Sequence, residues 1–414
     1  MSIALRSFAK INLGLKIGTP RADGFHSLLT IYQTIALHDI VRVEVVQGEG
    51  IEIRCNDPRV PCDATNTCWK VAERVLRLVA DGYPRGLKSA REIKKVTPIG
   101  TPEGMPLQNK GNHGGAARAV PVQNEGGVAG TAEGERFQGG KATPEGVPSQ
   151  DRSVRRQYRK VVVTIEKHLP LQGGMGAASS NAIATLFGLE RALDIELAQP
   201  EKLRIAAEVG SDLPLFLVGG TVLGIDRGQE VYALQDLPET PLVVVTPPVG
   251  VSTPKAFAQW DGLIASGSSG DSALTTNEHA VTMKERDQAA NAWLSKRLLS
   301  QGFIAKGPAS GVPAAGGDRA ETPLLDLVRT GIENDFERVV FPEYPELREV
   351  KSVLHREGAR YASLSGSGST LYGMFESGGE AEGTAERMRA AGHAAVATRT
   401  VGRAEYWKQL AASD

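Results

Sequence analysis

A glycine-rich stretch near the middle of the chain has the composition of a loop that binds phosphate. It reads LPLQGGMGAASS from Leu169 to Ser180 and contains Gly173, Gly174 and Gly176. Glycine tolerates backbone conformations that other residues avoid, and it lets a ligand approach the chain closely. If a helix begins directly after these glycines, its free N–H groups and its dipole favour an anion. We therefore expect a phosphate group to bind here.

The motif alone leaves other interpretations open. A tight turn without any ligand fits the glycines equally well. A Walker A loop is excluded, because no Gly-Lys-Ser/Thr follows. Gly174, Gly176 and Ser179 imitate a dinucleotide fingerprint, but in that fingerprint the glycines follow a strand directly. Here the proline-containing segment 168–172 intervenes, so a nucleotide phosphate is favoured over a dinucleotide.

The segments on either side of the loop have the patterns needed to position it. Residues 161–165, VVVTI, are rich in β-branched residues and predict a strand, which Pro170 ends. After the loop, Ile183, Leu186 and Leu193 recur at helical spacing. The glycines are therefore expected in a turn that opens a helix.

The N-terminal segment alternates between apolar and polar residues, as strands do. The apolar face comprises Ile11, Leu13, Leu15 and Ile17, and the polar face comprises Lys10, Asn12, Gly14 and Lys16. Taken alone, Lys10 is expected to be a solvated strand residue. A turn over 19–24 leads to His26, which taken alone passes as a loop or packed histidine, and residues 39–46 predict another strand.

Further along, several segments predict helices and a hairpin. Residues 64–80 form an amphipathic pattern with Thr65 or Asn66 as N-cap; its apolar stripe comprises Trp69, Ala72, Val75, Leu76 and Val79. A helix over 200–209 is ended by Gly210, and Asp212 beyond it has the place of a turn or cap residue. Two strands at 360–364 and 370–375 flank the glycine turn 365–368 and predict a hairpin.

Bulk composition limits the class of protein. The 414 residues are 41% hydrophobic with a net charge of −1, which suggests two or three domains with sizeable cores and argues against a dedicated binder of nucleic acid or anionic membrane. No apolar run approaches the roughly 18 residues of a membrane span. Without a leader before the first motif, we expect a cytoplasmic protein.

Cysteine and histidine spacings indicate no transition-metal site. Cys55, Cys62 and Cys68 match neither a zinc ribbon nor a redox CxxC, so free thiols are expected. The seven histidines form no HExxH or His-Cys cluster.

Two stretches differ in composition from the rest. Residues 88–157 contain 12 glycines and 6 prolines with Phe137 as their only aromatic residue, and such segments cannot repay the entropy of ordering. We expect a disordered insertion there. Residues 263–322 are irregular around one helix-compatible piece at 279–299, and the proline-punctuated segment 246–257 is expected to be an extended connection between domains.

Four segments in the right order resemble the GHMP kinase superfamily. They are AKINLGLKI with RADGFHSLLT, LPLQGGMGAASSNA, GSDLPLFLVGG and ASLSGSGSTLYGMF, and the likeness covers most of 1–86, 158–262 and 324–401. The resemblance implies an α+β fold of two domains with the active site between them. These would be an N-terminal sheet-and-helix domain like domain 2 of ribosomal protein S5 (1–245) and a ferredoxin-like C-terminal domain (246–414).

The resemblance also implies an ATP-dependent kinase that uses Mg²⁺. Asp212 matches the general base and Lys10 its catalytic partner. The nucleotide-binding positions matched in this chain are Asn66, Lys167, Pro170, Leu171, Gln172, Gly173, Gly174, Met175, Gly176, Ala177, Ala178, Ser179 and Ser180. Gln172, Ala177 and Ala178 replace residues that are frequently glycine in the family, which restricts the loop to negative φ there.

The N-terminal segment resembles the branch of the superfamily whose alcohol acceptor carries a cytidine diphosphate tail. The resemblance therefore implies phosphorylation of the 2-hydroxyl of 4-diphosphocytidyl-2-C-methyl-D-erythritol, a step of non-mevalonate isoprenoid precursor synthesis. His26 would bond the cytosine edge between Phe25 and Phe257, although family members often carry tyrosine at the place of Phe25. The matched acceptor-binding positions are Asn12, Phe25, His26, Thr253, Pro254, Phe257 and Gly366.

Two other functions remain as alternatives. A GHMP kinase with a smaller acceptor, such as a mevalonate-type or homoserine kinase, would have no base to stack on Phe25 and Phe257. A nucleotide-binding regulator without catalysis is disfavoured by the intact Lys10 and Asp212. Partners are expected to be the cytidylated acceptor and ATP, without nucleic acid or membrane, in a monomer or homodimer.

Overall fold

The computed structural model describes residues 2–81, 159–171, 173–266, 291–294 and 332–411. The predicted disordered insertion at 88–157, Gln172 and most of the irregular stretch 263–322 lie outside the described residues. The strands are β1 (Ser2–Pro20), β2 (His26–Gln47), β3 (Gly50–Cys55), β4 (Arg159–Glu166), β5 (Thr221–Ile225), β6 (Glu230–Ala233), β7 (Pro241–Val245), β8 (Tyr361–Leu364), β9 (Leu371–Met374) and β10 (Ala395–Arg399). The helices are α1 (Thr67–Ala80), α2 (Ala177–Leu193), α3 (Gln199–Val209), α4 (Leu213–Phe216), α5 (Thr253–Ala265), α6 (Glu337–Glu343), α7 (Pro345–Arg356), α8 (Gly378–Ala390) and α9 (Arg403–Gln409).

The first sheet has six strands and is built on a long hairpin of β1 and β2. Its order is β3-β4-β2-β5-β6, with β1 paired to β2. The hairpin turns at Gly24, whose φ of 81° suits glycine. The strand predicted over 39–46 is the second half of β2, and the predicted strand over 161–165 lies within β4.

Strand β1 is covered on both faces, which overturns one prediction. Leu5 and Phe8 belong to the core shared with α2, whereas Ile11 and Leu13 pack in a second core that includes residues of β7, β8 and β9. Lys10 is therefore buried rather than solvated. Register shifts after Phe8 and Asn12 interrupt the pairing with β2, and such bulges re-aim the side chains of a strand.

The second sheet is antiparallel and has the order β10-β7-β9-β8. The predicted hairpin is confirmed, because β8 and β9 pair from Tyr361 with Met374 to Leu364 with Leu371. Both sheets belong to one compact unit of the chain. The domain boundary at 245/246 stays a prediction; β7, which ends just before it, is a strand of the second sheet.

Two predicted segments differ in the structure. The stretch 246–257 is not extended throughout, because α5 begins at Thr253 and continues to Ala265. Pro254 lies in the first turn of this helix. Backbone N–H groups there have no partner within the helix, so proline costs no hydrogen bond. Residues 263–265 are therefore helical, not irregular.

Helices α1 and α3 lie close to their predicted positions. Asn66 caps α1 by accepting a hydrogen bond from the N–H of Cys68. The buried face of α1 is rotated from the predicted stripe, since it comprises Cys68, Val71, Ala72 and Val75. Helix α3 ends before Gly210 as predicted.

The state of the cysteines and the character of the helices bear on two expectations from composition. Cys55, Cys62 and Cys68 are free thiols, as predicted. In the part of the chain that the structure describes, no helix has the length and apolar character to cross a bilayer.

Helix α2 approaches the first sheet closely at Gly188. A methyl group there would lie 2.5 Å from Val43 Cγ2 and 2.8 Å from its Cβ. Because Val43 is fully buried and stiff at χ1, we expect Gly188→Ala to lower the free energy of unfolding by about 1–3 kcal/mol through overpacking. Urea denaturation measures this change.

Gly262→Ala in α5 is the matched control. It has no atom within 4 Å of its added methyl group, so it should leave stability unchanged or raise it by up to about 1 kcal/mol. Equal stability of the two variants would contradict the close packing of α2.

Candidate active site

The glycine-rich loop forms the predicted turn at the start of a helix. Gly174 and Gly176 have φ of 78° and 68°, in the left-handed region that favours glycine. Helix α2 begins at Ala177, and Gly176 at its N-cap supplies no side chain to bond the first N–H groups. Ala177 and Ala178 lie inside the helix with negative φ, so these replacements fit. The free N–H groups at this end of α2 can hold an anion.

The loop is fastened to two other segments by backbone hydrogen bonds. The N–H of Lys10 on β1 donates to Met175 O at 3.0 Å, and the N–H of Thr370 donates to Gly173 O at 3.3 Å. The Ser365 hydroxyl also donates to Gly174 O at 3.1 Å. The loop is thus placed between β1 and the turn of residues 365–368, called here the C-terminal glycine turn.

The two glycine turns touch each other. A Cβ on Gly174 would lie 2.1 Å from Ser365 O, and one on Gly368 would lie 2.5 Å from Gly173 C. Distances this short are impossible for real side chains, so the contact depends on glycine in both turns. Asn334 fixes the second turn by donating to Leu364 O and Gly366 O, a role that its sequence context did not reveal.

Lys10 and Asp212 form an ion pair beside the loop. Lys10 Nζ lies 3.3 Å from Asp212 Oδ2, and the side chains are 4% and 33% exposed. Lys10 also donates to Asn12 Oδ1 at 2.7 Å. A carbon on Gly176 would lie 3.0 Å from Lys10 Cγ, which places the pair against the phosphate loop. A carboxylate beside a cation and a phosphate site can accept the proton of an alcohol.

Tyr32 is a further member of this group that the sequence did not reveal. Its hydroxyl donates to Asp212 Oδ1 at 3.2 Å. Burial, with Asp212 next to it, raises the pKa of Tyr32 well above its ordinary value. The phenol therefore keeps its proton and acts as a donor. Tyr32 lies outside the four motifs, so nothing in the sequence pointed to it.

Asn12 is oriented by its own network. Its amide donates to Thr30 Oγ1 at 2.8 Å, and that hydroxyl donates to Gly14 O at 2.7 Å. The amide oxygen is thereby turned towards Lys10. A Cβ on Gly366 would lie 3.2 Å from Asn12 Oδ1. The C-terminal glycine turn therefore lies next to the Asn12 amide.

Asp39 fixes the segment that leads into the phosphate loop. It has no exposed surface and accepts hydrogen bonds from the N–H groups of His168 and Leu169, each at 2.8 Å. It also accepts from Lys167 Nζ at 2.6 Å and from Asn181 Nδ2 at 3.1 Å. The family resemblance matches Lys167 to a nucleotide-binding position. In the structure its ammonium group pairs with the buried carboxylate of Asp39. Asp39 stands in no motif, so its role could not be predicted.

Asn66 is brought to the same region by α1. Its side chain accepts from the N–H of Cys68 and donates to Pro61 O at 2.6 Å, so it is occupied in capping the helix. The hydroxyl of the next residue, Thr67, donates to Ala178 O at 2.8 Å. The start of α1 therefore lies against the first turn of α2.

On the acceptor side, His26 and Phe257 lie together. Their rings stack with centroids 4.8 Å apart and an interplanar angle of 14°. His26 Nε2 lies 2.7 Å from Asp261 Oδ1, one helical turn after Phe257 on α5. Phe25 is 52% exposed, and its ring faces the Arg227 guanidinium at 5.1 Å. A base sandwiched between Phe25 and Phe257 stays a prediction.

A cleft of about 530 Å³ opens beside the phosphate loop, within the range of small-molecule sites. Its lining comprises Arg59, Pro170, Leu171, Gly173, Thr246, Pro247, Pro248, Val249, Gly250 and Ser369. Thr253, at the start of α5, bonds Ser367 of the C-terminal glycine turn through their hydroxyls at 2.7 Å. Pro254 follows it and is exposed.

The donor set around the loop limits the kind of metal site. Within the described ranges, no three His, Cys, Asp or Glu side chains are grouped as ligands. The hydroxyls of Ser179 and Ser180 in the first turn of α2 are hard oxygen donors. Such a set fits Mg²⁺, which keeps several waters and is commonly shared with substrate phosphates.

Two family models match the sequence around these elements. The GHMP kinases N terminal domain matches residues 150–220, which include the phosphate loop and Asp212. The GHMP kinases C terminal model matches residues 321–394, which include the C-terminal glycine turn. Both matched models are those of GHMP kinases, the superfamily that the four motifs resemble.

Relatives that span nearly the whole chain carry a more specific name. The 4-diphosphocytidyl-2-C-methyl-D-erythritol kinase of Acaryochloris marina (strain MBIC 11017) is 27% identical over 388 residues, 94% of this chain and 91% of the relative. The Moorella thermoacetica (strain ATCC 39073 / JCM 9320) kinase of the same name is 27% identical over 399 residues, 96% of this chain and 99% of the relative.

The solved structures of two kinases share the fold. A crystal structure of 4-(cytidine 5'-diphospho)-2C-methyl-D-erythritol kinase matches with a TM-score of 0.54 and 21% identity, covering 97% of this chain and 100% of that one. The mevalonate kinase of L. major in complex with R-mevalonate matches with a TM-score of 0.52 and 13% identity, covering 97% and 96%.

The contact between the glycine turns predicts the effect of Gly174→Ala. The variant combines a strained φ with a collision against Ser365 O. We expect it to raise the Kd for ATP at least about tenfold, since left-handed backbone costs a non-glycine residue about 1–2 kcal/mol. Isothermal titration calorimetry measures the change. Gly379→Ala, where a methyl group meets nothing within 4 Å, should bind ATP like the unaltered protein; equal affinities for both variants would contradict the assignment.

The buried pair of Asp39 and Lys167 predicts a second effect. Asp39→Asn leaves the Lys167 ammonium buried without its counter-charge, so we expect unfolding free energy to fall by about 3 kcal/mol. Asp57→Asn is the control, because its partner Arg59 is an exposed cation that water solvates when the pair is lost, so the loss of stability should be much smaller. Similar losses in urea denaturation would show that Asp39 does not organise the loop.

Proposed function

We propose that this chain transfers the γ-phosphoryl group of ATP to the 2-hydroxyl of 4-diphosphocytidyl-2-C-methyl-D-erythritol. The observation that carries the proposal is the ion pair of Lys10 and Asp212, placed where β1 meets both glycine turns. Relatives that match this chain over nearly their full length carry the name of that kinase. Their name supports the choice of acceptor.

In the proposed reaction, the acceptor oxygen forms a bond to the γ-phosphorus while the bond to the β,γ-bridging oxygen breaks. Asp212 takes the proton of the acceptor hydroxyl, and ADP leaves with the bridging oxygen. Lys10 keeps Asp212 paired and offsets negative charge on the transferred group. Phosphoryl transfer needs mainly such positioning and charge stabilisation.

The phosphate loop and α2 would hold the donor. The N–H groups of the first turn of α2, which no side chain caps, would present partial positive charge to the phosphates, and the N–H groups of Gly173–Gly176 would add to it. The adjoining cleft with Arg59 offers space for the rest of the nucleotide. We further propose that Mg²⁺ enters with ATP, held by its phosphates and a hydroxyl of Ser179 or Ser180; the ion supplies neutralisation of phosphate charge.

His26, Phe257 and Asp261 would receive the cytosine. The Asp261 carboxylate only accepts hydrogen bonds, so His26 Nε2 carries a proton towards it. The other ring nitrogen, Nδ1, is left for the edge of the base. A small acid or amino acid as acceptor would make no use of this stack.

Other features of the expected function remain predictions from the sequence. They are a cytoplasmic location, a monomer or homodimer, and the absence of nucleic-acid and membrane partners. The N-terminal domain over 1–245 and the C-terminal domain over 246–414 are proposed as the units that enclose the site.

An assay of ADP release with three acceptors tests the proposal. We expect turnover with ATP, Mg²⁺ and the cytidylated methylerythritol, and background rates with mevalonate or homoserine. Asp212→Asn should lower kcat by a factor of about 10² or more, the scale of general-base catalysis. Asp194→Asn replaces an exposed carboxylate at a left-handed C-cap that asparagine tolerates, and it should stay within about twofold.

Two results would overturn this function. Preference for mevalonate or homoserine would reassign the acceptor while keeping a kinase. Undiminished turnover by Asp212→Asn would remove the general base from the mechanism.

A further inference from the structure

The Asp212 carboxylate is held by two donors, one on each oxygen. Tyr32 donates to Oδ1 at 3.2 Å, and Lys10 Nζ lies 3.3 Å from Oδ2. The last torsion of an aspartate side chain is broad when nothing restrains it. With both oxygens bonded, rotation of the carboxylate would break both contacts. Its orientation relative to the phosphate loop is therefore set by two residues, of which the family resemblance accounts only for Lys10.

Tyr32 is itself held rigidly. It is 2% exposed and pairs with Asn12 on β1 and with Val222 on β5. Its ring lies over two glycines of the neighbouring hairpin. A Cβ on Gly224 would lie 2.5 Å from Tyr32 Cε2, and one on Gly228 would lie 2.5 Å from the hydroxyl oxygen. The β5–β6 hairpin is thus shaped to receive a phenol, including its oxygen.

Charge also favours this placement. The Lys10 ammonium lies 5.5 Å from the centre of the Tyr32 ring, within the range of a cation–π contact. Tyr32 therefore contacts both members of the ion pair, the cation through its ring face and the carboxylate through its hydroxyl. Since the phenol keeps its proton, it donates to Asp212 and does not compete as a base.

We propose that Tyr32 is a positioning residue for Asp212, holding the carboxylate in the orientation that takes the acceptor proton. The inference rests on the proposed function, because it assigns a role in the same phosphoryl transfer. It adds a residue that acts on the reaction through the Asp212 carboxylate.

Tyr32→Phe is the direct test, because it removes the hydroxyl and keeps the buried ring. A hydrogen bond to a charged group that matters in the transition state typically changes rates by tenfold or more. We expect kcat to fall about tenfold, with KM for ATP and for the acceptor within about twofold of the unaltered protein. Unchanged kcat, or a change confined to KM, would overturn the proposal.

Tyr406→Phe is the matched control. Tyr406 is also fully buried, and its hydroxyl donates at 2.7 Å to the backbone oxygen of Phe216, the last residue of α4, rather than to the carboxylate of Asp212 at the N-cap of that helix. Both variants lose one buried hydroxyl, so both are expected to melt at somewhat lower temperature. Only Tyr32→Phe should lose kcat. An equal loss in the two variants would reduce Tyr32 to a structural role.

A kinetic cycle with Asp212→Asn links the effect to its partner. The Tyr32→Phe change should have less than about a twofold effect on the residual turnover of Asp212→Asn, because the oriented carboxylate is already gone. A tenfold effect in both backgrounds would show that Tyr32 acts elsewhere.

The same measurements separate the two proposals. All variants are assayed with whichever of the three acceptors the unaltered protein phosphorylates. Turnover of mevalonate or homoserine with a Tyr32→Phe defect would retain the positioning role and reject the proposed acceptor. Turnover of the cytidylated acceptor without a Tyr32→Phe defect would retain the proposed acceptor and reject the positioning role. No turnover of any acceptor would reject both proposals.

Discussion

A buried ammonium group is the constraint around which this molecule is arranged. Lys10 lies inside β1, covered by helices on one side and by the second sheet on the other, and an unpaired charge in such a place would cost several kcal/mol. Asp212 and Asn12 satisfy it with their oxygens. The pairing ties the strand at the N-terminus to the segment before α4, and it holds both at the mouth of the phosphate loop. Stability and the proposed chemistry therefore depend on the same contact.

The close approach of two glycine turns completes the arrangement. Gly174 and Gly368 allow the phosphate loop and the C-terminal glycine turn to touch backbone to backbone, where any side chain would collide. The loop is also tied to β1 through Lys10 N–H and Met175 O. Groups from the two ends of the chain thus converge on the glycine-rich loop, and Asp39 fixes the segment that leads into it.

Pattern and spacing predicted much of this correctly, but only where the chemistry is local. The turn that opens α2, the N-cap of α1 and the β8–β9 hairpin follow from neighbouring residues. The burial of Lys10 could not be predicted, because it depends on a second sheet that covers a strand with an alternating pattern. Tyr32 and Asp39 are missed for the same reason: each gains its role from partners more than 100 residues away, and neither stands in a motif.

In the proposed reaction, the acceptor alcohol and the γ-phosphate meet at the pair of Lys10 and Asp212. A crystal structure with a non-hydrolysable ATP analogue and 4-diphosphocytidyl-2-C-methyl-D-erythritol tests this most directly. We expect the 2-hydroxyl oxygen within about 3 Å of the Asp212 carboxylate, the terminal phosphate against the N–H groups of Gly173–Gly176, and the cytosine at His26. An acceptor hydroxyl bound away from Asp212, or phosphates bound outside the glycine loop, would contradict the account.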